Sequence, residues 1–193
     1  FHTLSQNRNW NEEISKDGLV KIKSEVVSAK DASGEDIKII YYIAEITGDI
    51  TLDNAEKFLR SSENYIYIWE NNELSKEIKR INDNEWIIYL FFDSPWPMPD
   101  NDLVHRMRVE KDGEKGLRVQ ATAEPDAYKR TDAGRMTLYD ALFDFEYIGN
   151  GKTKLILTVT FSPVGNAPKW MINTWFPEGP AGIVKRLIEK ATE

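Results

Sequence analysis

Residues 135–162 read RMTLYDALFDFEYIGNGKTKLILTVTFS, and their pattern decides the fold class. Gly149-Asn150-Gly151 sits between two apolar runs, and such a short turn of glycine and asparagine is a dependable hairpin signal. On the first arm Tyr139, Ala141, Phe143 and Phe145 alternate with Asp140, Asp144 and Glu146. On the second, Leu155, Leu157, Val159 and Phe161 alternate with Lys154 and Thr158. Period two means that one face of each arm is apolar and the other wet. Two antiparallel strands, Arg135 to Ile148 and Lys152 to Ser162, follow.

Upstream, the same reading gives strands over Leu103–Glu110 and Leu117–Ala123 around the turn Lys111–Gly116, and over Leu74–Ile81 and Glu85–Phe92 around Asn82-Asp83-Asn84. Leu103, His105, Met107 and Val109 then face inward, with Val104, Arg106, Arg108 and Glu110 to water; Leu117, Val119, Ala121 and Ala123 also face inward. Ser94-Pro95-Trp96-Pro97-Met98-Pro99-Asp100 interrupts the meander, because its prolines remove ladder donors. Strands also start near Leu19 and run over Ile37–Ile46, with the turn Asp31–Asp36 between them. Thr51 is a helix N-cap ahead of Leu52, Ala55, Phe58 and Leu59, and Tyr65, Ile66, Ile68 and Trp69 continue the apolar stripe. The opening segment through Ile14 reads as a short helix anchored by Leu4 and Trp10. From Ala167 the chain reads as helix, interrupted around Pro177-Glu178-Gly179-Pro180. Hairpin-linked strands with segregated helices make an α+β architecture. A long antiparallel sheet curls, and a terminal amphipathic helix plugs its concave face.

Composition narrows the function. The 193 residues carry a formal net charge of -7, which speaks against nucleic acid as a partner, since phosphate binding needs a basic face. There is no cysteine, so disulfides, thiolate metal sites and cysteine nucleophiles are excluded. Two histidines, His2 and His105, make no zinc site. Nucleophile-elbow, phosphate-loop, dinucleotide and His-Glu-x-x-His signatures are absent, so no catalytic residue, metal or cofactor is assigned. No apolar run reaches membrane-spanning length, and the chain shows no linker or repeat, so 1–193 reads as one domain. It begins with Phe1 rather than Met, which is compatible with a removed signal peptide (periplasmic or secreted) or with trimming.

Several stretches resemble the START (StAR-related lipid-transfer) domains of the helix-grip, Bet v 1-like superfamily. Glu85 through Val104, with Trp86-Ile87-Ile88-Tyr89, Pro95-Trp96-Pro97 and Asn101-Asp102-Leu103-Val104, is similar to their strand, Pro-Trp-Pro loop and following strand start. Trp10 with Gly18-Leu19-Val20, and Trp69 after the helical region, resemble earlier landmarks. Ser162 through Asn173, with Gly165, Pro168 and Trp170, resembles the lead into the last helix. The resemblance implies a curved antiparallel sheet wrapped around a long C-terminal helix with an internal hydrophobic tunnel, binding and transferring one lipid-like molecule. It departs from the pattern at Asn101, where the family has Arg, and at Ser162, where it has Asp. Ile88 and Met107 stand where sterol-binding members carry a buried acid and Arg, which puts sterol in doubt.

On that footing the expected ligand-binding residues are Trp69, Ile88, Leu90, Trp96, Leu103, His105, Met107, Val119, Ala121, Tyr139, Phe143, Phe161, Met171 and Trp175. Periodicity alone gives the same positions as plain core; the small Ala121, Ala123 and Ala141 favour a cavity. The partner is then a lipid or other hydrophobic small molecule, with transient membrane contact through Trp96, Met98, Trp175 or Phe176. The rival is an enzyme of the polyketide cyclase or aromatase type, with His105, Tyr139 and Arg135 as an acid-base set. The resemblance aligns Arg135 with an Arg of the family pattern, which faces the tunnel mouth or else pairs with a surface acid.

Overall fold

The computed structural model describes residues 8–94, 98–165 and 167–193. Ten strands form one sheet: β1 (Asn11–Ile14), β2 (Lys21–Lys30), β3 (Asp36–Gly48), β4 (Asn72–Asn82), β5 (Glu85–Phe92), β6 (Asn101–Asp112), β7 (Gly116–Ala123), β8 (Gly134–Arg135), β9 (Tyr139–Gly149) and β10 (Lys152–Phe161). Helices α1 (Leu52–Arg60) and α2 (Tyr65–Ile68) lie between β3 and β4, and α3 (Lys169–Trp175) and α4 (Glu178–Thr192) close the chain. The sheet runs β1-β2-β3-β10-β9-β7-β6-β5-β4, open at both ends, with the short β8 added parallel to β6. All other pairings are antiparallel. This is a helix-grip α+β fold, the curved sheet folded about the C-terminal helix.

The decisive hairpin forms as its residues dictate. Asn150 and Gly151 link β9 to β10 with φ of 55° and 73°, the paired left-handed conformations of the turn that suits strand twist. The alternation also holds: Tyr139, Ala141, Phe143, Phe145, Leu155, Leu157 and Val159 are all buried in the main core. Helix α4 packs across β2 and β3 and against α1 and α2. Its approach to β3 is close: a Cβ at Gly48 would stand 2.7 Å from Ile188 Cδ1 and would push that side chain aside.

Three expectations need correction. Residues 11–14 form a strand, not part of a helix: Asn11 to Ile14 pair with Ser24 to Lys21. The turn after it is fixed by the Ser15 hydroxyl, which accepts from the Val20 N–H at 3.0 Å, and by Gly18 at φ 76°. Leu4 lies outside the described residues. The strand expected from Arg135 is broken, because Gly134 and Arg135 add to β6 in parallel and the chain swings round over Met136–Leu138 before β9 begins.

Val104 is the third. Expected to face water, it is buried with Ile87 and Tyr89, and Tyr128 packs on them. The segment 124–133 folds over the outer face there and is tied down by a buried ion pair. Arg135 Nη2 donates to Asp102 Oδ2 at 3.0 Å and to the Lys129 carbonyl at 3.0 Å, while Thr131 donates to Asp102 at 2.7 Å. The adjacent carboxylate holds the Arg135 guanidinium above its ordinary pKa.

Candidate functional site

A cavity of about 330 Å³ opens at one end of the groove between sheet and terminal helices. Strands β3, β5, β6, β9 and β10 supply its wall through residues such as Tyr42, Leu90, Leu103, Tyr139 and Val159. Helix α3 supplies Met171 and Trp175, and the proline-rich segment supplies Met98. The lining is mostly apolar and aromatic, as in sites that enclose a small molecule.

Each element is positioned by local chemistry. Trp69 ends α2, its N–H bonded to the Tyr65 carbonyl at 3.2 Å. Arg186 of α4 caps that helix end, donating to the Ile68 carbonyl at 3.1 and 3.0 Å and to Glu70 at 3.0 Å. Asn71 then turns the chain into β4 with φ 58°. Trp175 lies folded back on the first turn of α4, because Gly179 leaves room for its indole: a Cβ there would be 1.9 Å from Trp175 Nε1. From that position its ring meets Tyr42 at 5.6 Å, edge-on.

Of the fourteen residues singled out from sequence, Trp69, Leu90, Leu103, Tyr139, Phe161, Met171 and Trp175 line this cavity. Ile88, His105, Met107, Val119, Ala121 and Phe143 do not; they lie in the core at the other end of the groove, each at most 1% exposed. Trp96 lies outside the described residues. The second group is packed because α1 and α2 fill the groove over it. Tyr65 of α2 reaches down so that its hydroxyl is 3.9 Å from Met107 Sδ and its ring 6.3 Å from that of His105. Ala121 and Ala141 face each other in register on β7 and β9, beneath α1. Their small side chains make room for a helix instead of a ligand.

Periodicity missed Tyr42, Ile40, Phe92 and Met136 as lining residues. Tyr42 and Ile40 lie in the uninterrupted apolar run 39–43, which shows no polar face, and nothing local shows which stretch of a strand borders a void.

The polar chemistry near the cavity is sparse. His105 is 1% exposed, and neither imidazole nitrogen has a hydrogen-bond partner among the described residues. Burial pushes its pKa down to about 3, so it is neutral near pH 7. Its ring stands 5.5 Å from that of Tyr139, which in turn meets Trp69 at 6.4 Å. Burial also raises the Tyr139 and Tyr42 phenols far above the ordinary value. Arg135 does not join this set. It bonds Asp102, whose side chain lies on the opposite face of β6 from Leu103 and His105. No group of acidic and histidine side chains able to hold a metal ion occurs among the described residues.

The arrangement of sheet, terminal helices and end cavity matches solved structures across nearly the whole chain. A STAR-related lipid transfer protein fragment from Xanthomonas axonopodis superposes with a TM-score of 0.78 at 21% identity, covering 96% of this chain and all of that one. The chain has the START fold. Human StAR-related lipid transfer protein 5 gives a TM-score of 0.73 at 16% identity, over 95% of this chain and 86% of that one. The Zhui aromatase/cyclase from Streptomyces shares the architecture more distantly, at 0.59 and 11% identity over 80% of this chain and 94% of that one. By sequence, an uncharacterized Pseudomonas aeruginosa protein is 22% identical over 182 residues, 93% of this chain and 85% of that one. No family model matches. The START fold thus accommodates both lipid-transfer proteins and a cyclase, so the site itself must discriminate between them.

Proposed function

We propose that this protein is one domain that binds a single lipid-like molecule in the end cavity and transfers it between membranes. The observation that carries this reading is the apolar cavity of about 330 Å³. Burial of hydrocarbon at about 25 cal/mol per Å² supplies affinity without strong polar contacts. Entry is between Met98 and Met171, on the proline-rich segment and α3, which both border the cavity. Beside this mouth, on α3, Trp170 is 66% exposed, a ring suited to brief contact with a membrane interface. No described helix is long and apolar enough to cross a membrane.

Two observations favour carriage over cyclase chemistry. The acid-base set drawn from sequence is split, with Arg135 on the outer face and His105 sealed behind Tyr139. A general base works best with a pKa near the operating pH, and burial has moved His105 well below it. Native mass spectrometry of the purified protein with lipid extract tests the reading. A stoichiometric bound species is expected; a bare protein under all loading conditions would sink it.

A further inference from the structure

The cavity has a size and a polar character that together restrict its ligand. A volume of about 330 Å³ is near the lower end of small-molecule sites, which run from roughly 300 to 1,000 Å³. A space of that size favours a single-chain occupant over a bulkier one.

Two wall residues carry buried polar atoms without partners among the described residues: the Tyr42 hydroxyl and Trp69 Nε1. Buried polar groups are nearly always bonded, and an unmet one destabilises by about 1–3 kcal/mol, so each such atom needs a physical account. An oxygen on a bound molecule supplies it. The indole N–H can only donate, so that oxygen must accept; the phenol can donate or accept.

Charge is restricted as strongly. Among the described lining residues the only charged side chain is Glu70, which sits at the exposed mouth and is paired with Arg186 at 3.0 Å. Among the described residues no Lys or Arg lines the cavity to meet an anion, and an unpaired ion inside an apolar wall is heavily penalised. His105 adds no positive charge near neutrality.

We infer that the ligand is a neutral single-chain molecule with one hydrogen-bonding oxygen, such as a medium-chain alcohol, ketone or ester, whose oxygen meets Tyr42 and Trp69. This rests on the cavity being the binding site, as proposed above, and adds the chemical class of its occupant.

The test is displacement of Nile red from the full chain at pH 7.5 by four ten-carbon probes: decane, 1-decanol, decanoate and decyltrimethylammonium. Decanol is expected to bind at least tenfold more tightly than either ion. In Tyr42→Phe and in Trp69→Phe, the decanol affinity is expected to fall three- to tenfold relative to that of decane. Decane controls for lost volume in the tryptophan variant, and the wild-type comparison of alcohol with ions needs no variant to fold. Tighter binding of either ion, or equal losses for decane and decanol, would overturn the inference while leaving the carrier reading in place. Failure of all four probes to displace the dye would overturn both.

Discussion

The two ends of the groove are built from the same strands yet hold different things. At one end His105, Met107, Val119, Ala121 and Phe143 lie under α1 and α2, and Tyr65 fills the space above them. At the other, Leu90, Leu103, Tyr139 and Val159 border a cavity covered, among the described residues, by Met171 and Trp175 of α3 together with Trp69, Met98, Pro163 and Ala167. Strands β6 and β9 run through both ends without a change in pattern. What differs is the cover: a helix with large side chains packs a groove solid, whereas a seven-residue helix broken at Pro177 bridges it. The carrier activity proposed for the fold depends on that local shortfall of cover.

Truncation should separate the ends most widely. Phe143→Ala removes a fully packed ring and is expected to lower stability by about 4 kcal/mol in urea unfolding, as large-to-small core changes do. Met171→Ala, at a half-buried wall position already beside a void, should lower it by about 1 kcal/mol, since fewer contacts are lost. Equal losses would mean that the cavity end is as tightly packed as the other.

Acid should find the packed end next. His105 has a folded-state pKa depressed to about 3, against about 6.5 in the unfolded chain. Above pH 6.5 both states carry it neutral, and its contribution is constant. Between 6.5 and 3 the unfolded chain binds a proton that the folded one refuses, so stability falls with falling pH. From pH 7.5 to 4.5 this amounts to about 2.5 kcal/mol. His105→Phe, facing Tyr65 and Tyr139, should lose that much less than the wild type over the same interval. Carboxylates such as Glu85, held below their ordinary pKa by Arg106 and Arg108, also weaken the fold in acid, but equally in both proteins. Parallel pH profiles would show that His105 is hydrated.

Which of these features could be read from sequence follows from the range of the signal. Alternation is local, so the inward faces of β6, β7, β9 and β10, the Asn150-Gly151 turn and the Thr51 cap were all legible. Whether an inward residue meets helix or void depends on elements far along the chain. Ala121 looked like cavity wall and lies under α1; Tyr42 was not singled out and borders the cavity. Val104 misled for a related reason: alternation assumes water on the outer face, and here segment 124–133 covers it. Asp102 and Arg135, 33 positions apart, gave no local sign of pairing. The resemblance to START domains supplied the long-range information, because its landmarks bracket the sheet and the last helix in order.

Filling the space offers a finer comparison. Ala141→Leu pushes methylenes into a closed core and should destabilise by about 1–3 kcal/mol. Val159→Leu adds one carbon beside the cavity and should leave stability within about 0.5 kcal/mol of wild type, while weakening the binding of every probe. If both substitutions destabilise alike, the cavity is too narrow to take a methylene and is then no site for a chain.

The smallest effect is also the most diagnostic, because its sign changes with ligand. In the unliganded protein the Tyr42 hydroxyl is buried and unpartnered, so Tyr42→Phe deletes a desolvation penalty with almost no change in shape. Stability should rise by about 1 kcal/mol in thermal unfolding. With saturating 1-decanol the wild type gains the hydrogen bond that the variant cannot make, and the advantage should shrink or reverse. A residue kept only for packing would be improved by this change under both conditions. A hydroxyl that stabilises the folded state only when an oxygen-bearing molecule is present behaves as a binding group, and the difference between the two melting shifts measures how much.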